Sequence, residues 1–178
     1  MSAANRSGCT APEAWFSCVG LPLAPSDRAE MEALIRDDAL LARVEIGVVS
    51  QWHEAGEIIR AADRDSAWWD HEEEERERLW QCAAERYGED ELSTRLRAIT
   101  DALADAVHDA AAAAAARAGV VDPALIRAAS GAALMAAHQQ ALCELAGEGG
   151  THYFTRKFAL FAGGRWPLGH HRGRYVVF

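Results

Sequence analysis

The sequence lacks the two features that would place it in a membrane or outside the cell. It has no run of about 18 uninterrupted apolar residues, the length that a membrane-spanning helix needs, because Asp105, Asp109 and Arg117 interrupt its alanine-rich part. It also lacks the basic and then apolar N-terminal segment of a secretory signal. We therefore expect a cytoplasmic protein that makes no use of a membrane.

Motifs of the common catalytic sites are missing as well. There is no P-loop, no G-x-G-x-x-G dinucleotide fingerprint and no G-x-S-x-G nucleophile elbow. The 4 cysteines have no C-x-x-C or other zinc spacing, so we interpret them as reduced thiols. No motif therefore indicates an enzyme.

Carboxylates are absent from the C-terminal tail, residues 149–178, which holds five basic side chains. Residues 1–148 hold all 27 Asp and Glu against 13 arginines, a charge of 13 − 27 = −14. An acidic body disfavours nonspecific binding to nucleic acid and suits a basic protein partner. The tail could bind an anion, but docking on its own acidic body is the interpretation that we favour.

The alanine-rich stretch 101–147 gives the strongest signal for secondary structure. Alanine has the highest helix propensity, Gly119 is typical of a helix end, and Asp122 followed by Pro123 is typical of an N-cap and a first helical residue. We therefore predict two long antiparallel helices joined by a short loop.

Apolar residues at helical spacing predict further helices on both sides of this pair. Phe154, Phe158 and Phe161 have the spacing i, i+4, i+7 of a short amphipathic helix. The predicted helices before the alanine-rich pair span about 26–38, 39–62 and 67–87.

The end of the chain has the pattern of a β-hairpin. Segments 165–168 and 174–178 flank a glycine-containing turn, and Pro167 restricts the first strand to a sheet edge. We expect this hairpin to be the only sheet of the protein and to lie on the helices.

Together these patterns predict a mainly α fold, a single helical bundle of four to five principal helices with a small C-terminal helix and β-hairpin. Residues 1–25 are expected to be extended or partly disordered. Residues 26–178 should form one helical domain, in which 150–178 is a basic aromatic helix plus hairpin packed on the bundle.

One candidate metal site emerges from polar residues within apolar stripes. His138 lies in the stripe of the last long helix, and Glu45 and Glu72 occupy similar positions on the predicted helices 39–62 and 67–87. If these faces converge, an imidazole and two carboxylates could hold Fe, Mn or Zn inside the bundle. A hydrogen-bonded polar network without metal, and therefore no cofactor, is the alternative that we favour.

A second candidate site is the aromatic and cationic end of the chain. Arginine next to aromatic residues is typical of a protein interface, and also of a platform for single-stranded nucleic acid. The patch is short, so an interface is favoured and nucleic-acid binding is not expected. Its candidate binding residues are Trp166, His170, His171, Arg172, Arg174 and Tyr175.

We therefore predict a non-enzymatic interaction protein, such as a regulator, adaptor or immunity-type inhibitor, that binds a basic protein partner. The alternative is a metal-dependent helical-bundle enzyme that uses the core His and Glu residues. A third hypothesis is a ligand pocket among Trp52, Trp69 and Trp80. A homodimer formed by strand addition at the hairpin edge is also compatible with the sequence.

Overall fold

The computed structural model describes residues 14–38, 44–61, 66–150 and 152–178. The prediction for the N-terminal segment therefore falls largely outside the described residues, as does the beginning of the predicted helix 39–62. Within the described ranges the fold is mainly α, with a small three-stranded sheet that includes the C-terminal hairpin. This confirms the predicted fold class.

Most of the described secondary-structure elements are helices. The helices are α1 (Pro25–Asp37), α2 (Trp52–Arg60), α3 (Ser66–Tyr87), α4 (Glu89–Arg117), α5 (Pro123–Ala146) and α6 (Tyr153–Ala162). The strands are β1 (Glu45–Val48), β2 (Pro167–His171) and β3 (Arg174–Val177).

The alanine-rich pair, α4 and α5, is formed as predicted, and its loop has the expected capping chemistry. Gly119 adopts a left-handed φ of 71°, and the N–H of Val120 donates to the carbonyl of Ala115 at 2.9 Å, which satisfies a free carbonyl of the last helical turn. Asp122 then caps α5 by accepting from the N–H of Ala124 at 2.9 Å. The two helices are thereby held side by side.

The predicted helix 39–62 is wrong at residues 45–48, where the structure has β1, and the part of it that is helical is α2. β1 pairs in parallel with β3, with Glu45 opposite Arg174 and Gly47 opposite Val176. Val44, Ile46 and Val48 are β-branched and lie two residues apart, which fits a strand, and pairing with β3 overrides the four-residue, helix-like step from Val44 to Val48. The hairpin is therefore part of a sheet of order β1-β3-β2.

This strand order has β3 in the centre and leaves β2, which begins at Pro167, at an edge as the proline requires. The homodimer by strand addition stays a prediction.

The C-terminal part of the chain is the centre of the packing rather than an appendage. Trp166, Tyr175 and Phe178 are each at most 1% exposed, and the ring of Trp166 packs on Trp52 at 5.7 Å between centroids. From the other end, Trp15 packs on Phe161 and anchors the residues before α1. In the described part of the chain, no helix is both long and apolar enough to cross a membrane.

Candidate functional site

The basic tail is held by the acidic body, as the charge distribution leads one to expect. At least four of its five basic side chains form ion pairs with carboxylates located before residue 149. The pairs are Arg156 with Glu30 and Asp37, Lys157 with Glu72, Arg165 with Asp27, and Arg174 with Glu45. Most of the tail's charge is thus neutralised within the molecule.

The most deeply buried of these pairs joins α3 to α6. Lys157, the one lysine of the chain, donates to both carboxylate oxygens of Glu72 at 2.7 and 2.9 Å. The two side chains are only 9% and 5% exposed. The ammonium group also lies 5.6 Å from the ring centre of Trp68. Sequence reasoning found Glu72 but missed Lys157, although its position within the Phe154/Phe158/Phe161 segment was a signal that it would be buried.

A cavity of about 280 Å³ lies beside this ion pair, where α2, α3, α5, α6 and β2 meet. Its walls are aromatic and aliphatic, and among the described residues that line it Glu72 and Lys157 are the charged ones. The lining residues are Ile59, Trp68, Trp69, Ala128, Ala132, Met135 and residues 166–169. Of the tryptophans in the predicted pocket, Trp69 lines this cavity, whereas Trp52 lines a different one. Trp80 lies on α3 and packs against a separate apolar cluster that includes Leu92 and Leu142.

At one wall of this cavity, the backbone of β2 lies in close contact with the side chain of Trp68 on α3. Gly169 has a φ of 92°, and a Cβ added there would lie 2.8 Å from a ring carbon of Trp68. Only glycine fits this position, because it combines left-handed backbone with indole contact. β2 is therefore fixed against the two adjacent indoles of α3.

Behind the cavity, further polar groups are buried between α1, α3 and the sheet. Asp38 is 1% exposed and accepts from the indole N–H of Trp68 at 3.2 Å, while His71 lies 3.6 Å from its other oxygen. Burial and the neighbouring carboxylates Glu72 and Asp38 raise the pKa of the Tyr175 hydroxyl well above its usual value. Tyr175 therefore stays protonated and uncharged.

A second polar cluster joins α3 to the loop before α6. Arg78 donates to Glu75 at 2.7 Å and to Glu148 at 2.6 Å, and His152 lies 2.8 Å from Glu75. Hydrogen bonds from Arg78, followed by that of His152, lower the pKa of Glu75 to about 2. Glu75, Glu148 and His152 are close enough to hold a metal ion.

The hydrogen bonds of His152 favour a structural role for this cluster. Its Nδ1 accepts from the N–H of Phe154 at 3.1 Å, which caps α6, so the proton of the neutral ring lies on Nε2 and is donated to Glu75. A metal-bound histidine normally donates from its second nitrogen. Metal binding at Nε2 would therefore require loss of the helix cap, and Arg78 already supplies the positive charge.

The structure does not bring the predicted metal ligands together. Glu45 lies on β1, with a side chain that is 78% exposed and 3.6 Å from Arg174, because this segment is a strand rather than a helix. Glu72 binds Lys157 instead. His138 is half-buried on α5, where burial and then the charge of Arg76 lower its pKa. The predicted convergence of these three faces is therefore wrong.

The predicted aromatic and cationic patch is also divided between the interior and the surface. Trp166 is 1% exposed and Tyr175 is 0% exposed, so neither can contact a partner directly. His170 and His171 are half-buried at the end of β2, while Arg172 and Arg174 are exposed at the hairpin turn. The division follows position along the hairpin, because residues 166–169 and 175–178 at its base are buried, whereas the residues at and next to the turn are half-buried or exposed.

An exposed stripe of aspartates on α4 is the clearest polar feature of the surface. Asp101, Asp105 and Asp109 are all exposed and follow one another at intervals of four residues, which places them on one face of the helix. Within the described ranges, none of the three has an ion-pair or hydrogen-bond partner for its carboxylate. We call these residues the aspartate stripe.

Comparison of the chain with models of known families, with curated proteins and with solved structures finds no match.

Proposed function

We propose that this protein is a non-enzymatic interaction protein that binds a basic protein partner through the aspartate stripe of α4. The observation that carries the proposal is that Asp101, Asp105 and Asp109 are exposed and have no ion-pair partner among the described residues, whereas most of the tail's cations are neutralised inside the molecule. Part of the chain's excess negative charge is therefore exposed at the surface, where a partner can reach it.

The stripe is unfavourable for the helix that carries it. Aspartate has a low helix propensity in the interior of a helix, and like charges four residues apart repel by about 0.2–0.5 kcal/mol per pair. Neither Asp101 nor Asp105 lies in the first turn of α4, where a carboxylate would stabilise the helix dipole. The positive charges of a basic partner would offset the repulsion between the three aspartates and attract each of them.

The spacing of the stripe matches a helical partner. Eight residues of helix span about 12 Å, so three carboxylates are presented at regular intervals of about 6 Å. An arginine- or lysine-rich helix with basic residues at four-residue spacing presents complementary charges at the same intervals. Nucleic acid is disfavoured by the same negative charge.

The test uses two helical peptides of identical composition, one with three arginines at four-residue spacing and one with three adjacent arginines. Fluorescence anisotropy measures their affinity for the protein at several salt concentrations. We expect the spaced peptide to bind more tightly, with an affinity that falls as salt rises. The triple variant D101N/D105N/D109N should weaken this binding by about tenfold, as expected for the loss of three exposed ion pairs.

The matched control changes the same number of charges on another helix. Glu73, Glu74 and Glu77 are exposed on α3, and E73Q/E74Q/E77Q alters the net charge by the same amount. We expect this variant to retain most of the affinity for the spaced peptide. Equal weakening by both triple variants would show that only net charge matters, and the proposal would be wrong.

A further inference from the structure

We infer that the cavity beside Glu72 and Lys157 binds a neutral, planar heteroaromatic compound of one or two rings that carries an N–H donor next to a carbonyl acceptor, as in a cyclic amide. The cavity lies between α3, α5, α6 and β2, and no residue of the aspartate stripe lines it. This inference is therefore independent of the proposed function.

The volume of the cavity limits the size of the ligand, and its lining residues favour a ligand with an aromatic ring. Its volume of about 280 Å³ lies near the lower end of the roughly 300–1,000 Å³ that is usual for small-molecule sites. Trp68, Trp69 and Trp166 line the cavity, and aromatic residues in a wall favour a flat aromatic partner. Met135 lines the same cavity and is 43% exposed, so one wall reaches the surface.

The ion pair sets the polar groups of the ligand. An ammonium group has three donors, and Lys157 uses its donors on Glu72 alone among the polar groups of the described residues. A carboxylate has about four acceptor positions, and Glu72 accepts only from Lys157 in the same part of the chain. The site thus offers an acceptor and a donor side by side.

The charge of the ligand follows from the neutrality of the pair. Glu72 and Lys157 compensate each other, so a charged ligand would bring an unpaired charge next to an ion pair whose side chains are only 5% and 9% exposed, which is unfavourable. A cyclic amide is neutral, and its N–H and C=O groups can pair with Glu72 and Lys157 respectively. Its ring can then lie against the indoles.

The probe for this site is the bicyclic lactam carbostyril, and its matched control is N-methylcarbostyril, in which a methyl group replaces the N–H donor. Binding is followed by quenching of tryptophan fluorescence and by isothermal titration calorimetry. We expect saturable binding of carbostyril with a Kd of about 1 mM or tighter. The N-methyl compound should bind about tenfold more weakly, because Glu72 then faces a methyl group.

Two protein variants separate the shape of the cavity from its polar groups. Ala132→Leu fills the cavity from α5 and should weaken carbostyril binding by at least about tenfold. Ala124→Leu makes the same change at an exposed position of α5 and should leave binding unchanged. In the double variant E72M/K157M, which has neither a charge nor a hydrogen-bonding side chain at these two positions, carbostyril should lose its advantage over the N-methyl compound.

The inference is overturned by any of three results: no saturable binding of carbostyril at about 1 mM, equal affinity for its N-methyl derivative, or unchanged affinity in Ala132→Leu. Circular dichroism of each variant verifies its helical content. If Ala132→Leu does not fold, the loss of ligand preference in E72M/K157M decides the matter. Retention of the preference in that variant would show that the ion pair does not recognise the ligand.

Discussion

Arg165 donates from Nε to the carboxylate of Asp27 at 2.8 Å, and this contact joins the end of the chain to the first turn of α1. The same guanidinium donates to the backbone carbonyls of Cys18, Leu21 and Pro22 at 2.6–2.7 Å. Its side chain is only 3% exposed. Arg165 therefore connects the loop before α1 to the first turn of that helix, because its one guanidinium donates hydrogen bonds to both.

Replacement of Arg165 by methionine should destabilise the protein by about 3–5 kcal/mol, because Asp27 and three carbonyl groups lose a buried donor. Lysine should restore little of this, since one ammonium group cannot reproduce the forked geometry. Chemical denaturation gives the free energies of unfolding. The control is Arg156→Met, which removes a more exposed cation and should cost about 1 kcal/mol or less. Equal losses for the two positions would contradict this account.

The sequence was sufficient for those parts of the fold that depend on local chemistry. α5 begins at Pro123 and ends at Ala146 as predicted, because the N-cap of Asp122 and the left-handed Gly147 act within one helical turn. β1 was missed because its conformation depends on pairing with β3, which is distant in the sequence. Local periodicity carries no information about such a partner.

The same holds for the candidate sites: burial could be predicted from neighbouring residues, whereas contacts between residues distant in the sequence could not. The burial of Glu72 was inferred from its place in an apolar stripe, and it is indeed 5% exposed. Its partner Lys157 lies 85 residues away and could not be inferred from spacing. Trp166 and Tyr175 looked like surface residues because arginines and histidines surround them, but the base of the hairpin is packed into the core.

Acidic pH should weaken the protein through Glu75. Its pKa is lowered from 4.5 to about 2 in the folded state, chiefly by Arg78, so its stabilising contribution is present above about pH 4.5 and is lost as the pH falls toward 2. Allowing for the solvent screening of Arg78, which is 44% exposed, we expect about 1–2 kcal/mol. Urea denaturation between pH 7 and pH 2 measures this loss.

The variant Glu75→Gln should be less stable than the wild type at pH 7, and the difference should shrink as the pH falls through this window. Glu74 is exposed and has no ion-pair partner among the described residues, so Glu74→Gln is the control and should show no such convergence. A constant difference between wild type and Glu75→Gln at all pH values would contradict the assignment.

The aspartate stripe should lower the stability of α4. Asp105→Ala should stabilise the protein by about 0.5–1 kcal/mol, because alanine has the higher helix propensity and repulsion from Asp101 and Asp109 is removed. The same substitution at the N-cap, Asp122→Ala, should instead destabilise by about 1 kcal/mol, since two N–H groups of α5 lose their acceptor. Thermal denaturation distinguishes the two signs, and destabilisation by Asp105→Ala would show that this aspartate has a structural role.

The buried pair of Glu72 and Lys157 should behave as a unit in a double-mutant cycle. Lys157→Met leaves a carboxylate that is 95% buried without its partner, and Glu72→Gln leaves an equally buried ammonium group, so each single variant should lose about 3–5 kcal/mol. The double variant contains neither charge and should lie within about 2 kcal/mol of the wild type. The free energies of unfolding of the four proteins give the coupling energy, which should exceed about 2 kcal/mol. If the two single effects add instead, the two charges do not compensate each other, and a neutral ligand would no longer be favoured in the adjoining cavity.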